Sequence, residues 1–163
     1  MAILKITNYP EPILRERAEE VETFDAELAQ LLSDMAETMY DAPGIGLAGP
    51  QVAELKRITV IDVGEGGPGL LKLVNPRIVE SEGKVVSDEG CLSIPGIHES
   101  VNRFEKVLVE AQDENGEELS IEADGLLGIC LQHEIDHLDG ILFIDYLSQL
   151  KKQLIKKKLR RME

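Results

Sequence analysis

The chain has 163 residues, 43% hydrophobic and 29% charged, which fits one globular domain over 1–163 whose core needs no disulfide staples. Two cysteines, Cys91 and Cys130, exclude a secreted disulfide framework. No apolar run approaches a membrane span, and residues 1–5 resemble neither a signal peptide nor a transit peptide, so the expected setting is the cytoplasm, with no membrane partner.

In chain order, Leu28, Leu31, Leu32, Met35 and Met39 recur at helical spacing over residues 25–41. Asp25 is placed to cap that helix and Pro43-Gly44 to end it. Residues 44–51 are too rich in Gly and Pro for a helix or a regular strand. Residues 57–63 and 70–74 read as strands. Residues 106–112 and 117–123 alternate apolar and polar side chains around Asp113-Glu114-Asn115-Gly116, which is the pattern of a hairpin. A second helix starts at Gly125, with Asp124 as cap, and stops at Gly140. A third, about 148–161, takes the tail, with Leu147, Leu150 and Leu154 expected on its inward face. Strands flanked by helices predict an α+β fold with antiparallel sheets.

Charge divides along the same line. The whole chain carries −14, yet residues 151–163 hold Lys151, Lys152, Lys156, Lys157, Lys158, Arg160 and Arg161 against Glu163 alone. An acidic body repels nucleic acid, whereas a basic tail can bind it. The solvated face of a terminal helix has the same composition.

The second helix carries the most informative segment, Gln132-His133-Glu134-Ile135-Asp136-His137. Histidines four apart project from one helix face and can bind one ion. Glu134, beside the first of them, can reach a water on that ion and take its proton. The same face carries Leu126, Ile129 and Cys130, so it is not a solvated surface. A hydrolytic site usually needs a third protein ligand. The HExxHxxGxxH arrangement fails because Phe143 occupies the ligand position, and the only Glu after Glu134 is Glu163. The third ligand is therefore expected upstream, from Cys91, Cys130 or His98. Cys130 shares a helix with both histidines. Cys91 lies in a separate segment bounded by Gly90 and Pro95, from which a thiolate completes a tetrahedral site more easily.

Three segments together resemble, in order, the signature motifs of bacterial peptide deformylases. They are Gly44-Ile45-Gly46-Leu47-Ala48-Gly49-Pro50-Gln51-Val52, Glu89-Gly90-Cys91-Leu92-Ser93 and Gln132-His133-Glu134-Ile135-Asp136-His137. The spacing between them and the early Pro12-Ile13-Leu14-Arg15 are similar too, so the resemblance spans essentially the whole chain. Gly49 stands where the family usually has Ala, and Ala53 where it usually has Gly. The fold implied is α+β, with antiparallel sheets packed around a central helix carrying the HExxH motif, and a C-terminal helix.

The resemblance implies a hydrolase that removes the formyl group from N-formylmethionyl nascent peptides and releases formate. It assigns Cys91, His133 and His137 as metal ligands, Glu134 as general base and acid, and Gln51 and the Leu92 backbone N–H as oxyanion donors. Ile45, Gly46 and Gly90 would border the peptide backbone, and Leu126, Ile129 and Cys130 would form an apolar pocket for the first side chain, usually Met. The expected cofactor is one divalent ion, Fe(II) foremost, with Zn, Ni or Co able to occupy the same ligands. Asp136 would stand behind the ligands, paired with Arg103, and the C-terminal helix would dock on the ribosome. The rival readings are an HExxH endopeptidase and an inactive ribosome-associated protein with a structural metal, which would need a fourth ligand such as His98 or Cys130.

Overall fold

The computed structural model describes residues 2–161; Met1, Met162 and Glu163, including the tail's single acid, lie outside the described residues. Three helices, α1 (Ala26–Asp41), α2 (Gly125–Leu138) and α3 (Gln149–Arg161), accompany seven strands. The strands are β1 (Gly46–Ala48), β2 (Ile58–Ile61), β3 (Leu71–Glu82), β4 (Val85–Cys91), β5 (Ile94–Arg103), β6 (Lys106–Gln112) and β7 (Glu118–Asp124). They form a five-stranded sheet in the order β1-β2-β3-β6-β7 and a separate hairpin β4-β5. Every pairing between these strands is antiparallel, so the α+β class expected from the sequence holds.

The centre of the fold is α2, which lies between the two sheets. Leu131 and Ile135 pack with Ile61, Leu73, Val107 and Val109 of the larger sheet. His133 and His137 lie about 200° around the helix from Leu131 and Ile135, two residues on at 3.6 residues per turn, and meet the β4-β5 hairpin. The C-terminal carbonyls of α2 are held from outside the helix. The buried Arg57 donates through Nη1 to Leu138 O at 2.9 Å and pairs with Asp139 at 3.0 Å, as a cation at a helix C-terminus should. Asp25 caps α1 by accepting from Leu28 N at 2.9 Å. Asp124, expected to do the same for α2, makes no side-chain cap bond.

Several expectations from the sequence are corrected. Residues 46–48 do form a strand, because β1 gains a ladder along β2 that local Gly content could not reveal. A 3₁₀ turn follows over Gly49–Val52, with Pro50 in its first turn, where a missing N–H costs nothing. The strand expected to end at residue 74 continues to Glu82. Pro76 disguised it, and the ladder shifts register between Val74 and Arg77 to accommodate a residue without a donor. The β4-β5 hairpin had no strand reading in the sequence. On α3, Leu150 and Leu154 are exposed at 67% and 57%. The inward face is instead Ile155 and Leu159, which join Leu147, Leu14, Ile97 and Phe143. One residue along a helix is a 100° rotation; burial of Ile155 and Leu159 selects this roll, and the exposed contacts Lys151–Glu99 and Lys158–Gly96 O go with it.

The two unusual small residues of the first motif trade conformational demands. Ala53 sits at φ 62, in the left-handed region, which costs an L-residue about 1 kcal/mol or more. A Cβ on Gly49 would come 2.6 Å from Lys56 O and 2.7 Å from Glu54 O, both backbone atoms. Ala53→Gly should therefore raise stability by about 0.5–1 kcal/mol after the greater freedom of unfolded glycine is deducted. Gly49→Ala should lower it by about 1–3 kcal/mol. Urea unfolding of the two variants checks the opposite signs, and a neutral Gly49→Ala would contradict the close approach.

Candidate metal centre

The site assembles where the end of β4 meets α2. Cys91 Sγ lies 3.3 Å from His137 Nε2, and the Nε2 atoms of His133 and His137 are 3.2 Å apart. Among the described residues, these three are the group that brings metal-ligating atoms within 4.8 Å of one another. Of the three sequence options for an upstream ligand, the group includes Cys91. Cys130 Sγ is directed instead toward Ile45 O at 3.8 Å, and the His98 ring lies over Gly90, where a Cβ would approach it to 2.7 Å.

The hydrogen bonds behind the cluster set its chemistry. His133 Nδ1 meets Glu89 Oε1 at 3.0 Å; the proton belongs on Nδ1, leaving the Nε2 lone pair to face Cys91 and His137. Glu89 is itself held by Arg103, whose Nε and Nη2 reach its two oxygens at 2.7 Å each, while Nη1 donates to Asp136 Oδ2 at 2.7 Å. Phe143, standing where another metalloenzyme class has a ligand, is buried and stacks on the His133 ring with centroids 6.1 Å apart.

The electrostatics favour a cation. Burial opposes charge on His133, yet Cys91, Glu89 and Glu134 around it push its pKa up to about 10. His137 is driven the other way by burial and by the neighbouring His133 and Arg103. The carboxylates and the thiol around the two imidazoles thus favour positive charge at this point. A thiolate with two such imidazoles is a donor set that suits a borderline divalent ion.

Glu134 lies beside the cluster, and its Oε1 is buried without a hydrogen-bond partner among the described residues. Burial raises its carboxyl to about 7. Gly46 makes room for it: a Cβ there would overlap Glu134 Oε2 and lie 2.9 Å from Cys130 Sγ. Gln51 is oriented by Ala48 N, which donates to Oε1 at 2.9 Å, so Nε2 points to Ser93 Oγ at 3.1 Å and Cys91 Sγ at 3.5 Å. Leu92 follows Cys91 in the turn of the β4-β5 hairpin.

A cavity of about 650 Å³ opens onto this group. Ile45, Gly46, Gly90, Leu126, Ile129 and Cys130 all line it, together with Gln51, Leu92, His133 and Glu134. Ile45 and Leu126 are half-exposed at its rim, and Cys130 is buried. The sequence reading missed Glu89, Ser93 and Phe143. No local signal marked Glu89: the β4-β5 ladder shifts register between Glu89 and Cys91, so strand alternation would not have placed the two on one face. The Arg103–Asp136 pairing is present, but with the Arg103 side chain 3% exposed it is a buried ion pair rather than a surface one.

Comparison with known proteins places these features in context. A family model described as Polypeptide deformylase matches residues 3–153. The peptide deformylase of Chromobacterium violaceum is 51% identical over 163 residues, covering 100% of this chain and 98% of its own length. That of Thermodesulfovibrio yellowstonii is 51% identical over 162 residues, 98% of each chain. Among solved structures, a peptide deformylase from Legionella pneumophila superposes with TM-score 0.94 at 48% identity, over 99% of this chain and 95% of that one. One from Ehrlichia chaffeensis in complex with actinonin does so with TM-score 0.94 at 41% identity, over 100% and 99%.

The buried pair of Glu89 and Arg103, with the half-buried Asp136 behind it, has a pH signature. Burial alone would raise the Glu89 carboxyl, yet hydrogen bonds from Arg103 and His133 bring it down to about 2 from 4.5. A depressed carboxylate contributes stability that is fully present above pH 4.5 and is lost as pH falls toward 2. Glu89→Gln should cost roughly 3 kcal/mol at pH 6, because it strips a buried guanidinium of its bidentate partner. The gap between parent and variant should close between pH 4.5 and 2. Urea unfolding across that range measures it, and a gap independent of pH would show that the Glu89 charge contributes nothing.

Proposed function

Since this chain belongs to the polypeptide deformylase family, whose members remove the N-formyl group from nascent peptides, we propose that the Cys91–His133–His137 cluster is the centre at which it does so. The protein is a hydrolase, and the family is metal-dependent. Cys91, His133 and His137 would hold one divalent ion, Fe(II) in the cell, with Zn, Ni or Co accepted by the same ligands. When bound, that ion supplies Lewis acidity, polarising a carbonyl and lowering the pKa of water. The observation that carries this reading is a buried, unpartnered carboxylate, Glu134, beside those ligands at the wall of a cavity with an apolar side.

The chain's own groups divide the work. Glu134, with a pKa near 7 from burial, takes the proton of the attacking water and returns it to the departing amine. Gln51 Nε2, locked toward the cluster because its Oε1 is occupied by Ala48 N, donates to the formyl oxygen as negative charge builds there. The Leu92 N–H is the second donor. Ile45, Gly46 and Gly90 border the peptide backbone. Leu126, Ile129 and Cys130 receive the methionine side chain, whose flexible thioether suits an aliphatic pocket. That the substrate is made during translation supports the reading of a cytoplasmic enzyme. Glu134→Gln should keep the metal and lose at least ~10²-fold in turnover of a formyl-Met peptide. Cys91→Ala should lose metal and activity together, while Cys130→Ala keeps the metal. Formate release and metal content decide it, and near-normal turnover by Glu134→Gln would remove the general-base role.

The docking proposal concerns α3. Of its seven cations, Lys151 bonds Glu99 at 3.2 Å and Lys158 bonds Gly96 O at 3.3 Å, which leaves Lys152, Lys156, Lys157, Arg160 and Arg161 as the phosphate contacts of a ribosome-docking face. Deleting the helix is a poor test, because Ile155 and Leu159 belong to the core. Reversing Lys156, Lys157 and Arg160 to Glu spares that packing. The triple variant should cleave a short formyl-Met peptide within about two-fold of the parent, because no ligand or cavity residue is altered. It should lose salt-sensitive cosedimentation with ribosomes, since each neutralised phosphate releases counterions. Unchanged cosedimentation would return the helix to a solvated surface element.

A further inference from the structure

We propose that Tyr146 is a positioning residue for the metal centre: its hydroxyl is the outer end of a continuous hydrogen-bonded chain that fixes the imidazole of His133. The proposal rests on the reading of His133 as a ligand. Four links carry it. Tyr146 Oη donates to Asp136 Oδ2 at 2.7 Å. The same oxygen accepts from Arg103 Nη1 at 2.7 Å. The other edge of that guanidinium grips both oxygens of Glu89 at 2.7 Å. Glu89 Oε1 accepts from His133 Nδ1 at 3.0 Å.

Two donors on one Asp136 oxygen determine how strongly that oxygen draws on Arg103. Without the tyrosine hydroxyl, Oδ2 is a stronger acceptor and pulls the guanidinium toward itself, away from its two-point hold on Glu89. Glu89 then fixes the His133 ring less tightly, and ring orientation is what presents Nε2 to an ion. The Tyr146 ring also lies under the guanidinium, 5.2 Å from ring centroid to the Arg103 carbon, so the residue restrains Arg103 in two ways.

A separate observation points to the same role. Tyr146 ends a 3₁₀ turn over Phe143–Tyr146. Residues three apart on such a turn eclipse one another. The other one is Phe143, whose ring stacks on His133. One short turn therefore holds His133 twice, by its ring face through Phe143 and by its ring nitrogen through Tyr146. An exposed tyrosine ordinarily turns its hydroxyl to water. This one is 51% exposed and turns inward to a carboxylate that is already paired.

Tyr146→Phe isolates the hydroxyl, since the ring and its contact with Arg103 remain. The test uses Co(II) as the metal probe, with the visible spectrum of the loaded protein and the rate of Co(II) loss to a chelator as readouts beside kcat and KM. Tyr146→Phe should shift the spectrum and release Co(II) about 3–10-fold faster, less than the ~10–100-fold of a partner bonded directly to a ligand. kcat should fall several-fold with KM within about two-fold. Asp136→Asn, which keeps the shape and weakens the acceptor, should not reproduce the faster release, because a weaker acceptor no longer draws Arg103 away from Glu89. A melting temperature that drops while spectrum and release rate match the parent would make Tyr146 a structural residue only and overturn the proposal. A parent protein that binds no Co(II) would overturn both this and the ligand assignment. A parent that binds it with Tyr146→Phe indistinguishable would overturn this alone.

Discussion

The Arg103 guanidinium is 3% exposed and has almost no water to solvate it, so its charge must be met by protein groups or left at a cost of several kcal/mol. Glu89 meets it from β4 and Asp136 from α2, both at 2.7 Å. A guanidinium is planar with donors at fixed angles, so satisfying it also sets where the two carboxylates stand. Glu89 is two residues before Cys91, and Asp136 lies between His133 and His137. Neutralising one buried cation thereby brings a thiol on a strand and two imidazoles on a helix to within 4.8 Å.

Around that pair the site separates two carboxylates by environment. Glu89 is deep but bridged by Arg103 and His133, which hold it ionised. Glu134 is deeper still and, among the described residues, lacks a partner for Oε1, so burial raises it to about 7. The sites are close and the residue types identical, yet the first can only hold a charge and the second can exchange a proton near neutral pH. Gly46 contributes by having no side chain, since a Cβ there would overlap the Glu134 carboxylate.

The two sheets have different duties. The five-stranded sheet supplies the apolar floor against which Leu131 and Ile135 press α2. The β4-β5 hairpin supplies Glu89, Cys91 and the cavity wall around Gly90 and His98. α3 braces the hairpin from outside through Ile155 and two lysines. The basic terminal helix is thus also part of the support for the cavity.

Residues whose role depends on short-range spacing were legible in the sequence. His133 and His137 four apart put two imidazoles on one helix face, with Glu134 beside the first, wherever that helix is packed. The 106–112 and 117–123 alternation around Asn115-Gly116 became β6 and β7 almost residue for residue. What depended on distant partners was not legible. β1 exists because β2 lies beside it, β3 outlasts Pro76 through a register shift, and Ile155 rather than Leu154 faces inward because Leu14, Ile97 and Phe143 supply the apolar surface it packs on. The same limit left Cys91, Cys130 and His98 as open alternatives on spacing alone, and left Glu89 unremarked. Sequence spacing determines which side chains share a face. Only the tertiary structure decides what that face meets, because burial, charge neutralisation and strand pairing are settled by residues far away in the chain.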